Sequence, residues 1–326
     1  MKESNRELPV LYLVIPCYNE EEIIVESAAT IKEKINRLIS SGAIAKNSKI
    51  LFVNDGSKDK TFELLSDLAK KDPINIVVSL VGNSGHQNAL WAGIMTASKA
   101  DIIITIDADL QQDIEALDEF INCYKNGSEV VYGIRNNRDS DSPFKKFTAL
   151  AYYKFMHLMG SKIMENHADY RLISRKVIDA LMQYNESNLF LRGLIPSLGF
   201  PSDIVHFETK ERTGGTTKYT LSKMFRLATD GITSFTIRPL RIISVLGFIT
   251  MFFSMIFSIL CFIEWAQGKN VKGYTTTILI LLFLDGIILL SLGVIGEYLG
   301  KIYLETKNRP KYIIDSVIYK ETDNED

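Results

Sequence analysis

The chain has 326 residues, with 37 Lys and Arg against 39 Asp and Glu and a formal net charge of −2. That length accommodates one large domain plus an appendage, and the near-zero charge gives no case for nucleic-acid binding. Cys17, Cys123 and Cys261 lie far apart and the four histidines form no ligand-spaced pair, so neither a disulfide framework nor a zinc site is indicated.

Residues 1–7 are polar and mixed in charge, without the basic start and cleavage site of a signal peptide, so the first domain is expected in the cytosol. Residues 10–15 read as a strand that ends in Pro16-Cys17-Tyr18-Asn19-Glu20-Glu21. Pro16 is expected to break the ladder there, with acids opening a helix over 20–39. A second strand, 50–53, runs into Asn54-Asp55-Gly56-Ser57. This glycine turn carries a carboxylate, and Asp55 could hydrogen-bond a base or ribose. A helix over 60–70, a strand over 74–80 and a helix over 87–98 follow. Residues 102–106 are β-branched throughout, as suits a strand buried on both faces of a parallel sheet.

Directly behind that strand stands Asp107-Ala108-Asp109-Leu110-Gln111. Two carboxylates and an amide oxygen at a strand's exit offer three hard oxygen ligands for Mg2+ or Mn2+, at the edge where open α/β sheets bind ligands. A helix over 114–125 and a strand over 129–133 complete the alternation, which implies a parallel sheet covered on both faces. Residues 144–200 read as mostly helical around a short strand at 170–174, and 204–208 could be a last strand.

Composition then changes. Residues 217–236 fit an amphipathic helix at a membrane surface, with Tyr219, Leu221, Met224 and Phe225 beside Lys218, Lys223 and Arg226, or an ordinary packing helix. Residues 242–263 carry no charge and 274–296 only Asp285, each long enough to cross a bilayer. The connector 264–273 is short, so the spans form a hairpin. Arg238 and Arg241 before it, with Lys301, Lys307 and Arg309 after it, favour both ends in the cytoplasm. Asp285 at mid-span is costly and is expected to face another helix or subunit.

These motifs, with Gly82-Asn83-Ser84-Gly85-His86-Gln87, Ala168-Asp169-Tyr170-Arg171-Leu172, Arg212-Thr213-Gly214-Gly215-Thr216-Thr217-Lys218-Tyr219 and Gly296-Glu297-Tyr298-Leu299-Gly300, resemble family-2 glycosyltransferases of GT-A fold. The resemblance covers about residues 8 to 315 and is narrower still to the polyprenyl-phosphate glycosyltransferases, the dolichyl-phosphate mannosyltransferase-like group. It implies an α/β fold: a GT-A catalytic domain over 1–216, a juxtamembrane segment over 217–240, a transmembrane hairpin over 241–300 and a cytoplasmic tail over 301–326.

By the same resemblance Pro16, Tyr18, Glu20, Asp55 and Asp107 hold the nucleotide, and Asp107, Asp109 and Gln111 the metal. Arg135 and Arg212 contact diphosphate or lipid phosphate, with Lys218 a further candidate for the lipid phosphate. The family's Ser-Lys pair is here Thr217-Lys218, which keeps the hydroxyl. Asp169 stands where the family offers a general base; it could instead orient the acceptor, balance arginines, or pair structurally with Arg171 or Arg175. The implied donor is a nucleotide-sugar, UDP-glucose by preference over GDP-mannose, UDP-GlcNAc or a modified pentose donor. The implied acceptor is undecaprenyl phosphate, and the implied assembly a homo-oligomer in the plasma membrane. A processive synthase is disfavoured because neither Trp91 nor Trp265 sits in a Gln-x-x-Arg-Trp motif. The reading from another class is an inactive membrane scaffold that binds nucleotide-sugar.

Overall fold

The computed structural model describes residues 8–136, 167–184, 190–208, 238–267 and 273–320. The strands are β1 (Leu11–Cys17), β2 (Lys49–Asn54), β3 (Asn75–Leu80), β4 (Ile102–Thr105), β5 (Val130–Arg135), β6 (His167–Ser174), β7 (Ser202–Phe207) and β8 (Ile314–Tyr319). The helices are α1 (Ile24–Ser40), α2 (Thr61–Lys71), α3 (His86–Thr96), α4 (Leu117–Lys125), α5 (Arg175–Leu181), α6 (Leu191–Ser197), α7 (Arg238–Ala266) and α8 (Tyr274–Thr306).

The eight strands form one sheet in the order β7-β5-β6-β4-β1-β2-β3-β8. Its centre, β4-β1-β2-β3, is parallel, as the strand–helix alternation requires. Alternate residues of each central strand enter opposite layers, the period-two consequence of the pleat. Leu13, Ile15, Ile50, Phe52, Ile102 and Ile104 pack with α1, α2 and α4. Val14, Leu51, Val53, Val78 and Ile103 pack with α3, α5 and α6. Both faces are thus covered, which is why these strands read as unbroken apolar runs. At Gly93 of α3 an added Cβ would lie 2.3 Å from Val14 Cγ1, so only glycine lets this helix approach the sheet so closely.

Three features depart from the sequence reading. Pro16 stays inside β1, opposite Val53, because the β4 ladder has already ended at Val14–Thr105. Strand β6 inserts antiparallel between β4 and β5, so the sheet is mixed. Part of the segment expected as a tail is β8, which pairs antiparallel with β3 at the sheet's edge. There Lys311 Nζ sits 4.7 Å from the Trp91 ring centroid and the Ile313 carbonyl accepts the Val81 N–H at 3.0 Å. The sheet domain is therefore not a contiguous stretch of chain: it comprises Met1–Tyr153, Lys162–Lys218 and Arg309–Asp326.

The remaining residues form a second compact unit. Its described helices, α7 of 29 residues and α8 of 33, are long and apolar enough to cross a membrane. Phe248, Phe253, Phe283 and Leu289 are among many large side chains they leave exposed. The expected amphipathic segment at 217–236 lies outside the described residues.

Candidate active site

The parallel strands deliver four loops to one edge of the sheet, and backbone-to-side-chain bonds tie the first two together. The Asn19 N–H donates to Ser57 Oγ at 3.1 Å, and the Lys58 N–H donates to Asn19 Oδ1 at 2.8 Å. The Glu20 N–H donates to Thr61 Oγ1 at 2.8 Å. Asn19 adopts φ +54, a left-handed conformation that Asn enters more readily than most residues, and its side chain there bonds the Lys58 N–H of the neighbouring loop. Tyr18 beside it is exposed. Pro16, Tyr18 and Glu20 thus lie in the loop that leaves β1, next to the Asp55 turn.

Asp55 is buried, and its carboxylate holds the third loop: the Ser84 and Gly85 N–H groups donate to Oδ1 and Oδ2 at 2.7 and 3.0 Å. Burial pushes its pKa up, against the pull of those two bonds. Gly56, at φ +64, lies so close to this loop that a Cβ would meet Gly82 C at 2.5 Å. The Asp55 turn therefore shapes the Gly82–Gly85 loop, from which α3 starts with His86 and Gln87.

The fourth loop follows β4. Leu110 takes φ +49 and turns the chain back, so that Gln112, fully buried, reaches Asp107 with both ends of its amide. The Asp107 N–H donates to Gln112 Oε1 at 2.9 Å, and Gln112 Nε2 donates to Asp107 Oδ2 at 2.7 Å. The Gln111 N–H donates to Asp109 Oδ1 at 3.2 Å. Burial raises the Asp107 pKa, and the charges of Asp169 and Asp109 add to it against His86 and Arg135. Arg135 is exposed at the end of β5.

Because β6 runs antiparallel, its first residues reach past the end of β4: Arg171 pairs with Thr105, and Asp169 lies beyond. Asp169 is 5% exposed and surrounded by donors. Arg192 Nε and Nη2 reach Oδ1 and Oδ2 at 3.1 and 2.8 Å, and Arg171 Nη2 pairs with Oδ1. Gln87 Nε2 donates to Oδ2 at 3.2 Å, while His86 Nε2 stands 3.3 Å from the same oxygen and 3.8 Å from Asp107 Oδ1. Burial would push the Asp169 pKa up; the His86 hydrogen bond and the Arg171 and Arg192 charges outweigh it and hold it well below the usual carboxylate range. His86 is shifted upward, the two carboxylates outweighing its desolvation.

Of the expected site residues, Pro16, Tyr18, Glu20, Asp55, Asp107, Asp109, Gln111 and Asp169 thus stand at one edge of the sheet, with Arg135 acting on Asp107 through its charge. Arg212, Lys218 and Thr217 lie outside the described residues. Sequence reasoning gave no role to His86, Gln87, Gln112 or Arg192. His86 and Gln87 had a signal, a polar pair opening a helix behind a glycine turn at a strand's exit. Arg192 had none.

Residues 12–182 match the family model described as glycosyl transferase family 2, and residues 238–302 match the GtrB C-terminal hairpin. The chain belongs to glycosyl transferase family 2. Its sheet is accordingly a GT-A fold. A glycosyltransferase of Bacillus subtilis named YkoT and described as uncharacterized is 44% identical, covering 98% of this chain and 95% of the relative. A prophage-derived bactoprenol glucosyl transferase of Shigella flexneri is 38% identical over 93% of this chain and 96% of its own. A prophage bactoprenol glucosyl transferase homolog of Escherichia coli K12 is also 38% identical, over 94% and 98%. All three relatives are matched along nearly their whole length, hairpin included.

Proposed function

We propose that this family-2 glycosyltransferase moves one sugar, glucose from UDP-glucose, onto undecaprenyl phosphate at the cytoplasmic membrane face. The observation that carries this reading is the pairing, in one chain, of the Asp107–Asp169 site with the apolar hairpin. Two relatives, 38% identical over nearly the whole chain, carry the name bactoprenol glucosyl transferase or its homolog. A lipid acceptor stays in the bilayer, so a transferase tethered there gains proximity to it. Strand β8 joins the sheet that precedes the hairpin. Both ends of the hairpin then lie on one side of the membrane, in keeping with Arg238, Arg241, Lys301, Lys307 and Arg309 at its ends.

The donor set Asp107 and Asp109 fits a hard divalent cation. Its oxygens are of the right type, and a cation there would offset both the burial that chiefly raises the Asp107 pKa and the repulsion from Asp169 and Asp109 that adds to it. In this reading Asp107, Asp109 and Gln111 hold Mg2+ or Mn2+, which when bound neutralises charge on the departing nucleotide diphosphate. Pro16, Tyr18, Glu20 and Asp55 with the loop it shapes hold the nucleotide. Arg135 and Arg212 face diphosphate or lipid phosphate, and Lys218 the lipid phosphate.

A polyprenyl phosphate, with a second pKa near ~6 like a phosphorylated side chain, is largely dianionic at neutral pH and attacks without a strong base. Asp169, whose carboxylate is already engaged by Arg171 and Arg192, is ill suited to take a proton or to bond covalently to the sugar. It instead fixes Arg192 and His86 beside the reacting groups. Direct in-line displacement follows, inverting the anomeric carbon to a β-linked glycosyl phosphate. Asp285, exposed on α8, is expected to face a second copy in a homo-oligomer.

The test is a panel of labelled nucleotide-sugars offered to the full-length protein in liposomes with undecaprenyl phosphate. Labelled lipid from UDP-glucose, with a β anomeric coupling by NMR, is the expected result. Lipid product from another donor alone would move the sugar assignment, and an α-linked product would overturn direct displacement. Nucleotide-sugar binding without turnover of any donor would favour the scaffold reading.

A further inference from the structure

The motif behind β4 continues one residue further than its metal-ligand pattern, to Gln112. Of the two adjacent glutamines, Gln112 is the one that disappears from solvent, at 1% exposure. Both ends of its amide go to a single residue, the Oε1 to the Asp107 backbone N–H and the Nε2 to the Asp107 carboxylate. Two consequences follow from that closed ring. The Ile106 N–H makes the last ladder bond to β1, at the Val14 carbonyl, and the pairing with β6 ends at Thr105–Arg171, so the Asp107 N–H, which alternates to the β6 side, finds its acceptor outside the sheet. Gln112 supplies the missing acceptor. Its Nε2 also pins Oδ2, which fixes the carboxylate plane and leaves Oδ1 as the oxygen on the His86 side.

The chain is bent to allow this. Leu110 sits in the left-handed region at φ +49, where its Cβ crowds the following carbonyl oxygen and the backbone is strained. The Leu110 N–H closes the turn on the Asp107 carbonyl at 3.4 Å, and the Gln112 amide then reaches back beneath the loop. A turn that accepts such strain at a ligand-bearing position is held by the contacts it makes possible, and the Gln112 ring is the contact this one makes.

We propose that Gln112 is a positioning residue for the transfer reaction, locking the Asp107 carboxylate in the orientation that receives the divalent cation. The proposal rests on the metal reading given above for Asp107 and Asp109. Gln112 touches neither donor nor acceptor and acts through Asp107 alone. Its removal therefore weakens cation binding and the chemical step while leaving the acceptor's KM in place.

The experiment uses full-length protein in detergent, with Mn2+ as the probe, its binding followed by the electron paramagnetic resonance of the free ion. Gln112→Met removes both hydrogen bonds at similar volume; Gln112→Asn keeps the amide but is one methylene too short to reach both groups. Each is expected to raise the Mn2+ Kd and lower kcat by about 10- to 100-fold, the usual range for a residue that orients a ligand, with the lipid acceptor's KM unchanged. In an Asp107→Ala background the same substitutions are expected to change the Mn2+ Kd no further. A folded variant whose Mn2+ Kd stays within about twofold of wild type (~0.4 kcal/mol) overturns the proposal. So does a further loss in the Asp107→Ala background, or failure of both variants to show a native melting transition, which would make Gln112 purely structural. Wild-type protein that binds no Mn2+ and no Mg2+ would instead remove the metal reading itself, a result separable from the others because it needs no substitution.

Discussion

Asp107 and Asp169 stand at the ends of neighbouring strands, β4 and β6, and His86 faces them both, yet their surroundings are opposite in character. Asp107 has a neutral amide for its close partner and two other carboxylates near it, so burial and repulsion push its pKa up. Asp169 is gripped by two guanidiniums, an imidazole and an amide and is held well below the usual range. One carboxylate has only a distant imidazole and the Arg135 charge against its neighbours, and the other has two guanidiniums bonded to it. In our reading that difference divides the labour: Asp107 with Asp109 waits for a cation brought with the donor, while Asp169 spends its charge arranging Arg192 and His86.

The sharpest way to break this comparison is to remove each charge in turn. Asp169→Ala leaves Arg171, buried and already with Nη1 unpartnered among the described residues, without its counter-ion. A loss of about 3–5 kcal/mol in unfolding free energy is expected by denaturant titration. Asp107→Asn, which keeps an acceptor for Gln112 and removes a poorly compensated charge, is expected to stay within about 1 kcal/mol of wild type. Equal stability for the two variants would show that their settings do not differ.

Next in size is catalysis. Asp109→Ala is expected to lower turnover by about 10²–10³-fold at saturating Mg2+ or Mn2+, with an unchanged unfolding midpoint, because the group acts on developing charge and not on the fold. Full activity in that variant would remove Asp109 from the cation set.

A smaller effect should come from the sheet's edge. His86 starts α3, which Lys311 contacts through Trp91, and the preceding loop is bonded to Ile313. Ending the chain after Asn308 removes these contacts together with β8. About a tenfold drop in kcat/KM (~1.4 kcal/mol) is expected even with the hairpin present. An unaffected rate would mean that β8 only covers an edge.

The smallest expected effect is in pH. The folded pKa of Asp169 is depressed, so its stabilisation is fully present above the unfolded value near ~3.8 and fades only as pH falls below that. Asp169 itself therefore contributes no slope from about pH 5 to 8, but His86 does: against its desolvation its pKa is raised by Asp169, so the stability it adds is full below the unfolded value of ~6.5 and lost as pH rises through the raised one. The advantage of wild type over Asp169→Asn should shrink across that rise, and a difference that stays flat throughout would mean that Asp169 does not hold the His86 proton.

Much of this architecture was legible in the sequence where burial is two-sided. Strands such as 102–106 announce themselves because every residue is β-branched and all but Thr105 are apolar, and the turns behind them concentrate acids and glycines. Strand β8 was read as tail because Val317 and Tyr319 are exposed on it and its partner, β3, lies far away in the chain. Gln112 was hidden because two adjacent glutamines look alike until a left-handed leucine turns one of them under the loop. Arg192 was hidden because the strand order that brings it to Asp169 depends on β6 inserting between β4 and β5, a pairing that local periodicity does not encode.

The division between the two aspartates is tested most directly by thermal unfolding of the full-length protein with and without Mn2+, in wild type, Asp107→Asn and Asp169→Asn. At about 100 times its Kd a ligand of the folded state adds ~2.7 kcal/mol. Wild type should show that gain, Asp107→Asn should lose it, and Asp169→Asn should keep most of it above its own lower baseline. A gain that survives in Asp107→Asn and vanishes in Asp169→Asn would contradict the account.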